Sequence, residues 1–390
     1  MKFVLRCLRN SSCRRASISE CGRHGDKTLE TPMCMLYTRG GNAPYLGSDM
    51  FKKIQSLPFM AMVSLTHWAE HADVLAEYQK GVAKFSSMED FLFYCCTHDT
   101  ATEVPQGYNE KSGVAVWSRG GKIKVDVPSF MKIQEALQPD WYQALSDGDT
   151  SETSSDKRVQ KAVDRTLAFL DEILAEHRKM ERLKNSEVFG VIEGGYNIEE
   201  RLRSAKETAA RPVSGFTIGG FHNIGLKSGD RTIEDVGEIV KKTISTLPED
   251  KPRLMSSLWG PDSILEGIEQ GLDIFDTSYP LKMSFNHDKF IEHNSGAGFH
   301  IDLNHKRYCE DFGPVLENCS CYTCQRFSRA YINHLLNTSE LLAGVLLSLH
   351  NLHHYLEYFE SIRCALSEDT FDELKTLIKK QKPETVDTSD

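Results

Sequence analysis

Cys319, Cys321 and Cys324 stand in a C-x-C-x-x-C spacing, with histidines downstream at His334, His350, His353 and His354. Three thiolates and one imidazole make a tetrahedral donor set for Zn²⁺, and a set with no open position is structural rather than catalytic. Spacing alone leaves the fourth ligand open among the four histidines. Such an ion would pin the loop before one predicted helix, Gln325 to Leu336, to a side chain on a second, Glu340 to Cys364. Because thiolates must be deprotonated to bind, metal uptake there would be coupled to folding. The other eight cysteines (Cys7, Cys13, Cys21, Cys34, Cys95, Cys96, Cys309 and Cys364) are scattered and are expected as small core hydrophobes. An odd total of eleven with no secretory signal argues against a disulfide framework.

The elements around this cluster follow a βα rhythm from about Ser155 onward. Val159, Val163, Leu167, Leu170 and Leu174 recur at helical spacing. Val188 to Ile192 reads as a buried strand closed by Gly194-Gly195, and Asn197 with Glu200 forms a capping signal for the next helix. Ser214 to Ile218 is a strand ending in Gly219-Gly220, and Ile233, Val236, Val240 and Ile244 form a further helical stripe. Arg253 to Trp259 and Leu272 to Phe275 are the next strands, the second ending on Asp276, with a helix opened by Pro261 between them. Strands alternating with helices imply a parallel sheet, open or closed. Neither G-x-G-x-x-G nor G-x-x-x-x-G-K-[ST] occurs, which removes the usual support for an open nucleotide-binding sheet. The expected fold class is therefore α/β, a (β/α)₈ TIM-type barrel.

The first third is less regular. Lys2 to Cys7 and Ala16 to Ser19 read as strands of an N-terminal antiparallel sheet, a better account of the basic start than a targeting peptide. Val114 to Trp117 and Ile123 to Val127 flank Arg119-Gly120-Gly121 as a hairpin, followed by a short helix over Met131 to Leu137 and a strand over Trp141 to Leu145. The expected organisation is a barrel with its N-terminal sheet over 1–300, a zinc-binding subdomain with closing helices over 301–378, and a disordered tail over 379–390. The longest apolar stretch, Leu341 to Leu349, is too short to span a bilayer. A net charge of −10 excludes a broadly basic nucleic-acid binder, so any RNA contact must be local or supplied by a partner.

The region from Asn304 onward closely resembles the zinc subdomain of tRNA-guanine transglycosylases. The resemblance rests on Asn304-His305-Lys306-Arg307-Tyr308, Glu310-Asp311-Phe312-Gly313-Pro314, the cysteine cluster, Ser328-Arg329-Ala330-Tyr331 and His350-Asn351-Leu352. It implies His350 as the fourth ligand, beside Cys319, Cys321 and Cys324, of one structural Zn²⁺. Val191 to Gly195, Gly215 to Gly220, Gly271 to Asp276 and Thr31-Pro32 resemble further segments of the same family, so the likeness spans nearly the whole chain.

In that family a carboxylate attacks the anomeric carbon of a ribose and holds a covalent intermediate while bases exchange, with a second group moving protons. Asp276 matches the nucleophile by resemblance. Several other parts do not match. The family's D-S-G-G-F-Q segment has no counterpart before Val114, and neither Asp90 nor Asp99 has the flanking glycines. Glu193 stands where a base-reading glutamine is expected and cannot offer an amide donor. Pro280-Leu281-Lys282 lacks the arginine of P-T-R, and the base-binding aspartate falls on Ser146 or Asp147.

The resemblance thus implies no catalytic residue, with Asp276 vestigial. It implies a non-catalytic accessory paralogue that pairs, as a heterodimer, with the catalytic subunit of queuine tRNA-ribosyltransferase and touches tRNA through the complex. Lys306, Arg307, Arg326 and Arg329 are candidates for phosphate contact. The alternatives are a self-sufficient transglycosylase using Asp276 as nucleophile and a stand-alone binding module. A cytoplasmic location is expected, and peripheral attachment to the mitochondrial outer membrane is implied by the resemblance alone.

Overall fold

Strands that are apolar on both faces fit only where both faces are covered, and this condition decides the architecture. A computed structural model describes residues 1–6, 12–221, 233–256, 260–285, 290–291 and 300–381. The chain divides into two compact units. One comprises Met1–Asn42, Pro58–Trp259 and Ser263–Asp276, the other Ala43–Leu57, Gly260–Asp262 and Thr277–Asp390.

The first unit opens with an antiparallel sheet of β1 (Lys2–Arg6), β2 (Arg15–Ser19) and β3 (Leu29–Thr31), as the sequence predicted, although Cys7 lies outside the described residues. Next come β4 (Met33–Tyr37), β5 (Met60–Ser64) and β6 (Leu92–Cys96), each buried at every position. A hairpin follows, β7 (Val114–Ser118) with β8 (Gly121–Val125). The remaining strands are β9 (Trp141–Gln143), β10 (Glu187–Ile192), β11 (Gly215–Ile218), β12 (Arg253–Leu254) and β13 (Ile274–Asp276). Eight of them close into a barrel in the order β10-β11-β12-β13-β4-β5-β6-β9. Every pairing around it is parallel.

Helices cover the outside where the sequence stripes require them. The helix Asp156–His177 buries Val159, Val163, Leu167, Leu170 and Leu174. The Asn197 side chain accepts from the Glu200 amide and starts the helix Ile198–Ala209. The helix read over Met131 to Leu137 begins earlier, at Val127, because Asp126 caps it through the Ser129 amide and a proline sits in its first turn. Inside the barrel, aromatic rings interlock: Trp141 stacks on Phe189 at 5.3 Å, and Tyr94 meets the same ring edge-on at 5.7 Å. The strand expected over Arg253 to Trp259 is described only as far as Ser256, and 257–259 lie outside the described residues.

The second unit is helical. Its core gathers Ile301, Leu303, Tyr308, Ile332, Leu335, Leu346 and Leu347. The helix predicted from Gln325 starts at Arg329 instead, with Ser328 as cap, because the Gln325 side chain turns back to the Cys319 carbonyl. The second predicted helix runs longer than expected, over Leu341–Glu368. Among the scattered cysteines, Cys13, Cys21, Cys34, Cys95 and Cys96 are buried as expected, whereas Cys309 and Cys364 are exposed. Those two sit on the solvent side of a 3₁₀ turn and of the long helix, where no core exists to take them. No helix among the described residues is long and apolar enough to cross a membrane. Of the expected disordered tail, 382–390 lie outside the described residues.

Candidate functional site

The C-terminal ends of the barrel strands converge on a small cavity of about 60 Å³, lined by Cys96, Asp99, Thr100, Ser146, Glu193 and Thr217 among others. This is the end of a barrel where reactive side chains are customarily carried. Glu193 follows β10 directly, and its carboxylate is pressed against Gly219 and Gly220 so closely that a Cβ at either would collide with it. Glycine at these two positions is what lets a carboxylate sit there. Burial pushes the Glu193 carboxyl up to about 7, against the pull of the Arg201 charge. Arg201 is itself fully buried, and its guanidinium donates to the carbonyls of Gly195, Ile192 and Gly219. Glu193 Oε2 is left buried with no hydrogen-bond partner.

Asp276 ends β13 and is completely buried, with the Thr100 hydroxyl 3.5 Å from its Oδ1. Asp99, which sequence reasoning set aside for want of flanking glycines, lies in this cavity. It accepts from Tyr37 Oη at 2.8 Å and from the Ala101 amide at 3.0 Å, and His67 Nε2 stands 3.4 Å from its other oxygen. Burial opposes ionisation, yet these donors hold its carboxyl below the ordinary aspartate value. Asp90, by contrast, is exposed and lies just before β6, at the end of that strand away from the cavity.

The side chains of Ser146 and Asp147 go to different places. Ser146 lines the cavity, whereas both Asp147 oxygens are taken by Arg158 and Arg165, at 2.7 to 3.0 Å.

In the second unit, the Sγ atoms of Cys319, Cys321 and Cys324 and a nitrogen of His350 all lie within 4.8 Å of one another. His350 Nδ1 is 3.8, 3.5 and 3.3 Å from the three sulfurs in turn. A tetrahedral ion at ordinary Zn–S and Zn–N distances sets the N···S edge at about 3.6 Å. The group is already shaped to hold a metal ion. Burial would lower the His350 pKa, but hydrogen bonds to the sulfurs of Cys319 and Cys321 outweigh it and raise it to about 9. The Thr323 hydroxyl ties the cysteine loop to the Leu346 carbonyl at 2.7 Å, on the helix that carries His350. The other histidines are used differently. His353 bonds Ser320 and Glu357, His354 stacks on His350, and His334 is exposed.

The profile of the queuine tRNA-ribosyltransferase family matches residues 11–384. The chain belongs to that family. It is 42% identical to the queuine tRNA-ribosyltransferase accessory subunit 2 of Homo sapiens, covering 95% of this chain and 97% of that protein. The protein of the same name from Xenopus tropicalis is 41% identical over 98% of this chain and 100% of its own. The Aedes aegypti protein of that name is 32% identical over 98% and 93% respectively.

Asp276, Glu193, Asp99 and Ser146 are brought to one end of the barrel, and Asp147, at the same end, turns its side chain away to Arg158 and Arg165. The signal that could have found Asp99 is its position just after a fully buried run, Leu92 to Cys96, a strand that sequence reading missed. Arg329 is committed to Asp311 at 2.8 Å, and Arg307 and Arg326 lie over the rings of Tyr308 and Tyr322. Lys306 is exposed.

Proposed function

We propose that this chain is the non-catalytic accessory subunit of a heterodimeric queuine tRNA-ribosyltransferase. It pairs with the catalytic subunit and supports exchange of guanine for queuine at the wobble position of tRNAs with GUN anticodons. The observation that carries the reading is the cavity itself. About 60 Å³ is left beside the buried Glu193, whereas pockets that enclose small ligands commonly offer about 300 Å³ or more. Held toward its neutral form, Glu193 offers at most one O–H donor where a glutamine amide would offer two N–H donors, so a guanine-like edge meets fewer donors there. Relatives that carry the accessory-subunit name match along nearly the full chain, which supports the pairing role.

The same reading assigns Cys319, Cys321, Cys324 and His350 as the ligands of one structural Zn²⁺. When bound, that ion supplies a cross-link and no reactive position, because all four sites are protein donors. The chain's own contribution is to fix the imidazole on the long helix and the three sulfurs on one loop.

A second reading, a self-sufficient enzyme using Asp276, is favoured by that residue's burial at a strand end next to Thr100. Incorporation of labelled guanine into tRNA separates the two. The chain alone is expected to be inactive, the co-expressed pair active. Exchange by the purified chain without a partner establishes the second reading in place of the first.

A further inference from the structure

At the opposite end of the barrel, where the strands begin, two arginines are buried with more positive charge than their surroundings neutralise. Arg253 is the first residue of β12, Asp273 directly precedes β13, and Arg14 directly precedes β2. Arg14 and Arg253 are each only 6% exposed, and Asp273 is completely buried. Arg14 Nη2 donates to the carbonyls of Glu249 and Lys251, both at 3.0 Å, and its Nε lies 3.2 Å from Asp273 Oδ1. Arg253 Nη2 donates to the Leu247 and Pro248 carbonyls at 3.2 and 3.4 Å, and its backbone amide takes Asp273 Oδ2.

After those bonds, Arg14 Nη1 and Arg253 Nε remain buried with no acceptor. Leaving charged donors unmatched is costly, and native interiors seldom tolerate it without a ligand or solvent to answer them. Burial, and then repulsion from Arg14, lowers the Arg253 pKa to about 10, so its guanidinium stays charged at neutral pH.

A cleft of about 290 Å³ opens beside the pair, lined also by Arg6, Lys241, Glu249 and Gln270. Arg6 lies 4.0 Å from Glu30, a loose surface pairing. Arg6, Arg14, Lys241 and Arg253 on the walls outnumber Glu249 there, Asp273 beside Arg14 and Glu30 beside Arg6, so the cleft keeps a positive excess. A positive excess attracts a dianion more strongly than a monoanionic phosphodiester. Planar guanidiniums are the side chains best suited to phosphate oxygens.

We propose that this cleft is a binding site for a phosphate dianion, either inorganic phosphate or the phosphate of a small monoester. It lies at the far end of the barrel from the Glu193 cavity and does not depend on the function proposed above.

Calorimetry on the full chain, at constant ionic strength, tests it with three probes: inorganic phosphate, ribose 5-phosphate and the diester dimethyl phosphate. Phosphate, ribose 5-phosphate or both should bind with one-to-one stoichiometry, the pattern showing which source the site takes, while dimethyl phosphate should not. Lys241→Glu changes an exposed rim residue and should fold normally while weakening binding roughly tenfold. Gln270→Glu puts a carboxylate on the cleft wall and should abolish binding while raising the melting temperature. Absence of binding heat with both dianions overturns the proposal. So does equal affinity for the diester, which would point to an RNA backbone, or affinity unchanged in both variants.

Discussion

Glu193 and Arg201 are buried together at the mouth of the barrel, yet the arginine spends its donors on three backbone carbonyls and leaves Glu193 Oε2 unbonded. The arginine offsets the carboxylate through space without satisfying it. A carboxyl in that position is held toward its neutral form, with a pKa of about 7 against 4.5 in the open chain.

The sign of the resulting pH dependence follows. Between about 4.5 and 7 the folded protein retains a proton that the unfolded chain releases, so this group's contribution to stability falls as pH rises through that window. Glu193→Gln removes the ionisation. Urea unfolding should show the variant more stable than the parent by about 2 kcal/mol at pH 8, with the gap closing by pH 5. Asp273, pushed up to about 6 by burial, adds a dependence of the same sign, but it is common to both proteins and cancels in the difference. A gap that stays constant with pH would show that Glu193 keeps its ordinary pKa.

Asp276 provides the test of lost chemistry. If the partner subunit performs the base exchange, Asp276→Asn in this chain should leave guanine incorporation by the assembled pair within about twofold of the parent, since loss of a working nucleophile ordinarily costs orders of magnitude. Incorporation reduced by a factor of about a thousand would return Asp276 to a catalytic role.

Asp147 looked equivalent to Ser146 from its position in the chain, and its fate is structural. Arg158 and Arg165 both reach it from one face of the helix Asp156–His177. Asp147→Ala leaves two arginines facing each other without their carboxylate. Each arginine keeps roughly a quarter of its side chain exposed, so the loss is discounted to about 2 kcal/mol by urea unfolding. A loss near zero would mean solvent already carries those charges.

These residues show where sequence reading succeeds and where it stops. From Ser155 onward the helical stripes and the glycine-closed strands were legible, because amphipathic helices and turn glycines carry local signals. Met33–Tyr37, Met60–Ser64 and Leu92–Cys96 were not read as strands. They are buried on both faces, so no alternation marks them, and they are rich in methionine and cysteine rather than β-branched residues. Asp99 was overlooked for a related reason: Tyr37 and His67, which hold it, come from other parts of the chain. Arg158 and Arg165, seven apart on one helix, were the available hint that Asp147 points outward to them. The cysteine cluster needed no such help, since three of its four donors lie within six residues.

That cluster supports the last prediction. His350 and the three thiols already sit at the edge lengths of a tetrahedral site, so the ion has little reorganisation to drive and much charge to neutralise. Elemental analysis of purified protein should give close to one zinc per chain. Cys321→Ser should lower that content severalfold. The Thr323 to Leu346 hydrogen bond then holds the loop against the long helix without its cross-link, so amide exchange over Leu341 to Leu352 should quicken by at least about tenfold while the barrel strands stay protected. The barrel belongs to the other compact unit, and for that reason the two regions should respond separately. Purified protein free of zinc, or exchange rates unchanged in Cys321→Ser, would remove the metal from this account and leave four neighbouring donors that only pack.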